Sequence, residues 1–164
     1  MAKNNSKTKK FAVLTSGGDA SGMNACVRAC VRYGLNHGFE VYGVKHGYKG
    51  LVNDEIFKME YSSVSNCVHA GGTILRSSRC PEFVDPDVMK KAVDNLLDKG
   101  IENLIVIGGD GSFRGARDLS LRGIPCIGLP GTIDNDISWT DYTIGYDTCL
   151  NTIVQMVDRI RDTS

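Results

Sequence analysis

Leu104-Ile105-Val106-Ile107-Gly108-Gly109-Asp110-Gly111-Ser112-Phe113 is the stretch that decides the fold. Four aliphatic residues in a row, three of them β-branched, fit a short buried strand, and the glycine cluster over Gly108 to Ser112 turns the chain at its end. Phe113 to Leu121 then reads as a helix and Ile124 to Leu129 as the next strand. The same grammar runs upstream. Phe11 to Thr15 reads as a strand, Ser16 to Gly22 as a glycine-rich turn, Met23 to Leu35 as a helix stopping near Gly38, and Glu40 to Val44 as a strand. Pro86 to Lys99 reads as a helix started by Asp85-Pro86 and stopped by Gly100. Gly145 to Arg161 reads as another, with Ile153, Val154, Val157 and Ile160 on one side. Strands alternating with helices predict an α/β fold: a three-layer, doubly wound, mostly parallel sheet with helices on both faces, Rossmann-like.

At 164 residues the chain is the size of one domain, and one core is expected. Residues 1–10 carry four lysines without apolar periodicity and read as a disordered basic tail, leaving 11–164 as the folded domain. Nineteen basic residues balance nineteen acidic ones, so no global field draws the chain to nucleic acid or an anionic membrane. No apolar run is long enough for a bilayer and no signal peptide opens the sequence, so a cytoplasmic protein is expected. The six cysteines read as free thiols, and the three histidines as structural or surface residues.

In a doubly wound sheet, ligands sit beyond the carboxyl ends of the strands. Three loops hold that position. Ser16 to Gly22 has the glycines that let backbone approach a phosphate, or it is simply a tight connection. In Gly108 to Ser112, Asp110 stands among amides suited to phosphate, which makes it a candidate Mg2+ ligand bridging to the phosphates; the alternative is an Asx turn. In Pro130 to Asp136, Asp134 and Asp136 lie two residues apart with no basic neighbour: one carboxylate can accept the proton of an attacking hydroxyl and the other support a metal, with Thr132 holding the reacting group; the alternative is a polar turn. No P-loop motif is present, and Gly109, Gly111 and Gly115 miss the dinucleotide fingerprint by one residue.

Taken together, Gly17-Gly18-Asp19-Ala20, Gly71-Gly72-Thr73 leading to Ser78-Arg79, Gly108 to Ser112, Pro130 to Asp136 and Asp141-Tyr142-Thr143-Ile144-Gly145 resemble the N-terminal half of the ATP-dependent 6-phosphofructokinases, from about Phe11 to Ser164. The resemblance implies one domain of a two-domain enzyme in glycolysis that transfers a phosphoryl group from Mg-ATP to the 1-hydroxyl of fructose 6-phosphate and releases ADP. It implies nucleotide contacts at Gly18, Tyr48, Arg79, Cys80, Gly109, Asp110, Gly111 and Ser112, with Asp110 on Mg2+. Thr132, Ile133 and Asp134 would face the substrate, with Asp134 as general base, Thr132 orienting the transferred group and Asp136 supporting the metal. Arg28, Arg32 and Arg161 match an allosteric effector site of bacterial members, and a homotetramer is implied for the full-length protein.

Gly111 and Gly131 stand where pyrophosphate-using members of the family typically carry Asp and Lys, which favours ATP as donor. Ser21 replaces a usual Pro, and Arg76 a usual Gly. The C-terminal half, which the family uses to grip the sugar phosphate, is absent, so the isolated chain is expected to be inactive. The other readings are a non-catalytic nucleotide-binding fragment or subunit and, behind it, a pyrophosphate-dependent phosphofructokinase or a dinucleotide-binding domain.

Overall fold

The structure, a computed structural model, describes residues 9–163. The basic tail expected over residues 1–10 lies outside the described residues as far as residue 8. Lys10 opens strand β1 (Lys10–Thr15), one residue earlier than the apolar run suggests, because its backbone pairs with Glu40 across the sheet, and its ammonium reaches the Lys99 carbonyl at 3.0 Å and Glu40 at 3.6 Å. The order continues with α1 (Met23–Asn36), β2 (Glu40–Val44), α2 (Gly47–Val52), β3 (Ile56–Lys58), α3 (Pro86–Asp98), β4 (Asn103–Gly108), α4 (Asp110–Ser120), β5 (Cys126–Pro130) and α5 (Tyr146–Asp162). Short 3-10 turns span Tyr61–Val64 and Pro81–Val84.

The five strands lie in the order β3-β2-β1-β4-β5, all parallel except β3, which runs antiparallel to β2. The chain moves outward from β1 to β2 and β3, then returns to place β4 on the other side of β1. The loops after β1 and β4 therefore diverge at one point, the switch point of a doubly wound sheet. Side chains alternate across the sheet. Ala12, Leu14, Leu104 and Val106 point into one buried cluster, while Val13, Val41 and Ile107 point into another. The single expected core is thus two half-cores, since a parallel sheet buried on both faces separates them. Helix α1 covers one face through Met23, Val27 and Val31; α2, α3 and α4 cover the other through Leu51, Leu96 and Leu119 among others.

Two helix boundaries carry consequences. Asp85 accepts from the backbone amides of Asp87 and Val88 and starts α3 as its sequence suggests. Helix α4 begins at Asp110, not Phe113: Gly109 is extended, and an acidic residue in the first turn suits the positive end of the helix dipole. Asp110, Gly111 and Ser112 are therefore the opening turn of a helix rather than a loop. Helix α2 and strand β3 are not legible in the sequence, because α2 contains Gly47 and Gly50 and follows His46 at φ 58°. Gly50 is required by packing, since a Cβ there would lie 1.6 Å from the Lys45 carbonyl oxygen.

Helix α5 forms as expected, and its Leu150, Ile153, Val154, Val157 and Ile160 are exposed among the described residues. No helix among the described residues is long and apolar enough to cross a membrane. Gly50→Ala must push α2 off the Lys45 carbonyl, and urea unfolding should register a loss of about 3 kcal/mol, the upper end of typical overpacking costs.

Candidate functional site

Beyond the carboxyl ends of β1, β4 and β5 lies a cleft of about 910 Å3. Ser16, Gly17 and Gly18 line it from the loop after β1, Gly109 to Ser112 from the start of α4, and Gly131, Thr132, Asp134 and Asp136 from the loop after β5. Tyr48 of α2 and Ser78 to Pro81 close the remaining side. The three loops are tied edge to edge: the Ser16 amide donates to the Ile107 carbonyl at 2.9 Å, and the Gly131 amide to the Gly108 carbonyl at 3.0 Å. Gly108 is the tightest point. A Cβ there would meet Ser112 Oγ at 2.5 Å and the Ser16 carbonyl oxygen at 2.6 Å.

The Ser112 amide donates to the Gly109 carbonyl at 3.0 Å, while the amides of Asp110 and Gly111 precede the first intrahelical bonds, and the helix dipole adds partial positive charge to this turn. Among the described residues, Arg79 is the one cation lining the cleft, against three carboxylates. The Asp110 carboxylate is 61% exposed and pairs with Arg114 one turn along α4 at 2.9 Å. This is not the Asx turn of the alternative reading, because the partner is a side chain. Tyr48 serves the frame as well as the wall. Its hydroxyl donates to the Ser112 carbonyl at 2.5 Å, its ring packs on Phe83 at 4.4 Å, and burial pushes the phenol well above its ordinary value, so it stays a neutral donor. Gly115 is needed because a Cβ would sit 2.8 Å from that ring. Its place is helix packing against Tyr48, not the third glycine of a dinucleotide fingerprint.

Cys80 lines the cleft as a protonated thiol, pushed up to about 11 by burial and by the charge of Glu82. Thr132 Oγ1 accepts from the Asp134 amide at 3.2 Å, which holds the hydroxyl beside the carboxylate loop. The cleft thus gathers Gly18, Tyr48, Arg79, Cys80, Gly109, Asp110, Gly111, Ser112, Thr132, Asp134 and Asp136. Ile133, expected to face the substrate, is not among the residues lining this cleft; its side chain lies beside Gly145.

Arg76 also lies off the cleft lining. Its φ of 60° is a left-handed conformation that favours glycine, and its carbonyl accepts from Thr15 Oγ1 at 2.9 Å while its side chain is exposed. Asp19 faces the neighbouring segment, accepting from Ser77 Oγ at 3.3 Å. The arginines of the expected effector site each have their own partner, Arg28 and Arg32 on α1 and Arg161 on α5. Arg28 donates to the Val64 carbonyl at 2.6 Å, Arg32 lies over the Tyr61 ring, and Arg161 pairs with Asp158 at 3.7 Å. Of the histidines, His46 pairs with Glu55 and His37 bonds the Tyr33 carbonyl, and all six cysteines are free thiols. Sequence reasoning missed Pro81 as a wall of the cleft and Asn24, whose buried amide holds the 70–74 segment through the Ala70 carbonyl and the Ile74 amide.

Comparison with known proteins gives a consistent result. The family described as Phosphofructokinase matches residues 10–164. An ATP-dependent 6-phosphofructokinase of Macrococcus caseolyticus is 62% identical over 156 residues, covering 95% of this chain and 49% of its own length. That of Bacillus cytotoxicus is 56% identical over the same span and coverage. The chain therefore spans about half the length of the curated relatives it matches. Among solved structures, phosphofructokinase from Saccharomyces cerevisiae superposes with a TM-score of 0.89 at 39% identity, over 95% of this chain and 24% of that one. A pyrophosphate-dependent phosphofructokinase from Marinobacter aquaeolei shares the fold, with a TM-score of 0.71 at 22% identity, over 84% of this chain and 37% of that one.

Because the thiolate is the nucleophile, the raised Cys80 thiol should alkylate slowly at neutral pH. Site-resolved mass spectrometry with iodoacetamide should find its rate climbing with pH up to about 11.

Proposed function

The chain belongs to the phosphofructokinase family, and on that premise we propose that it is the nucleotide half of a cytoplasmic glycolytic enzyme transferring the γ-phosphoryl group of ATP to fructose 6-phosphate. One observation carries the reading: helix-terminal amides, Asp110 and the Asp134/Asp136 pair open onto one cleft. Amides alone would suit a bare anion. Carboxylates among them call for a cation shared with the ligand. Among the described residues, no group of three or more His, Cys, Asp or Glu side chains can hold a metal unaided. That fits Mg2+, which is usually bound by one or two carboxylates together with substrate phosphates.

Asp110, paired with Arg114 here, would hold the ion, and Asp136, on the loop after β5, would support it. When bound, Mg2+ would neutralise charge on the transferring phosphoryl group. Asp134 takes the proton from the sugar 1-hydroxyl as that oxygen bonds to the γ-phosphorus and the bond to the ADP oxygen breaks. Thr132 Oγ accepts from the Asp134 amide, so its own proton is free to donate to a phosphoryl oxygen. Gly18 and the α4 amides face the nucleotide, while Arg79 and Tyr48 form its wall.

ATP rather than pyrophosphate is supported at two glycines. A Cβ on Gly111 would meet nothing within 4 Å, so the cleft is open there, whereas a Cβ on Gly131 would lie 2.6 Å from Ile107 Cγ2, leaving no room for a lysine. With Arg79, on the nucleotide wall, the one lining cation among the described residues, no cation is left for the sugar 6-phosphate, which favours nucleotide binding without turnover for this chain alone. Sugar-phosphate contacts, tetramer formation and any effector site at Arg28, Arg32 and Arg161 belong to the full-length protein.

Calorimetric titration of this chain should give Mg2+-dependent ATP binding that weakens at least about tenfold in Asp110→Ala; equal binding with and without Mg2+ would sink the metal assignment. In the full-length enzyme, Asp134→Ala should lower kcat by about 10²- to 10⁴-fold and leave the ATP KM nearly unchanged. Gly111→Asp should keep the fold by circular dichroism while weakening ATP at least about tenfold, since its carboxylate would face the phosphates.

A further inference from the structure

Asp134 and Asp136 line the cleft, and Asn135 between them does not. Asn135 has φ 50°, a left-handed conformation that asparagine tolerates better than most residues. Its side chain is turned onto the returning segment: Oδ1 accepts from the Thr143 amide at 2.9 Å, and Nδ2 donates to the Asp141 carbonyl at 3.3 Å. Two backbone bonds extend the same seam, from the Ile144 amide to the Pro130 carbonyl at 2.9 Å and from the Gly145 amide to the Thr132 carbonyl at 3.1 Å. The 130–135 and 141–145 segments therefore lie zipped together, and Asn135 closes the far end. Without its amide the zipper would end at Thr132, leaving both carboxylates on an open loop. Thr143, whose amide Asn135 satisfies, is only 3% exposed, so that amide is far from water.

We propose that Asn135 is a positioning residue for phosphoryl transfer: its side-chain amide clips the catalytic loop to residues 141–143, so that Asp134 and Asp136 are both held facing the cleft. This rests on the reading of Asp134 as the base. The clip acts on the carboxylates and leaves the nucleotide wall untouched, because Gly18, Tyr48 and the α4 amides are held by other bonds. Its signature is a loss in kcat without a matching loss of ATP affinity.

The test is steady-state kinetics in the full-length enzyme with Asn135→Gly, which keeps the left-handed backbone and removes the amide. We expect kcat to fall about 10²-fold, the scale of a misplacement of about 1 Å, with the ATP KM within about threefold of wild type. A kcat within about threefold of wild type in a variant that melts as a folded protein overturns the proposal, since a merely structural clip would change melting alone. If Asn135→Gly does not fold, the near-isosteric Asn135→Asp decides. It keeps the acceptor and loses the donor to Asp141, and its kcat should fall at least about tenfold at unchanged ATP KM. A wild-type kcat in N135D overturns the proposal, as does a loss accompanied by an upward move of the acid limb of the pH profile, which would be a charge effect. Asp134→Ala, measured alongside, separates the two failures: an active D134A enzyme overturns the base assignment and this inference together, whereas an inactive D134A with a normal N135G overturns this inference alone.

Discussion

The structure depends on how closely the ends of β1 and β4 approach each other. They are adjacent parallel strands whose following loops leave in opposite directions, and the gap between those loops is the cleft. Gly108 makes the approach possible. Its missing side chain leaves room for Ser112 Oγ and the Ser16 carbonyl, and its own carbonyl receives the Gly131 amide from the third loop. One residue without a Cβ thereby sets the spacing of all three walls. The aliphatic strands supply rigidity around it, because each alternates side chains into two buried half-cores and cannot slip register without turning both inside out.

On this frame the charges are arranged so that neither amides nor carboxylates dominate. The opening turn of α4 presents backbone N–H groups, and Asp110 in that same turn would repel an anion were it not paired with Arg114. Tyr48 fixes this turn from below by its bond to the Ser112 carbonyl, and Phe83 fixes Tyr48. A short helix that sequence patterning does not reveal thus holds the α4 end of the cleft. The acid pair after β5 is held by different means, through Thr132, Asn135 and the returning segment, so the two ends are built independently.

Much of this was legible in the sequence, for identifiable reasons. Four strands and four helices announced themselves because runs such as Leu104 to Ile107 and caps such as Asp85 with Gly100 are local signals. The site loops were legible because glycine and aspartate together after a strand have few structural uses. What stayed hidden was tertiary. Helix α2 carries two glycines for separate reasons: a Cβ on Gly50 would strike the Lys45 carbonyl, and Gly47, at φ 59°, would meet the Thr15 carbonyl at 2.9 Å, a contact between segments far apart in sequence. The start of α4 fell at Asp110 because helix dipole and loop closure outweighed the weak helix propensity of two glycines. Arg76 stands where the family usually has Gly, and its left-handed backbone angle and exposed side chain, which no local sequence signal gives, put it off the cleft lining.

Helix α5 begins at Gly145's neighbour, where the zipped 130–145 segment ends, so loop and helix are joined without slack. Its 17 residues make a rod about 25 Å long. By simple geometry a sideways push of about 1 Å at the Arg161 end is a turn of only about 2° at the base. The joint works as a reducing gear: large excursions of the far end reach Asp134 and Asp136 as small rotations.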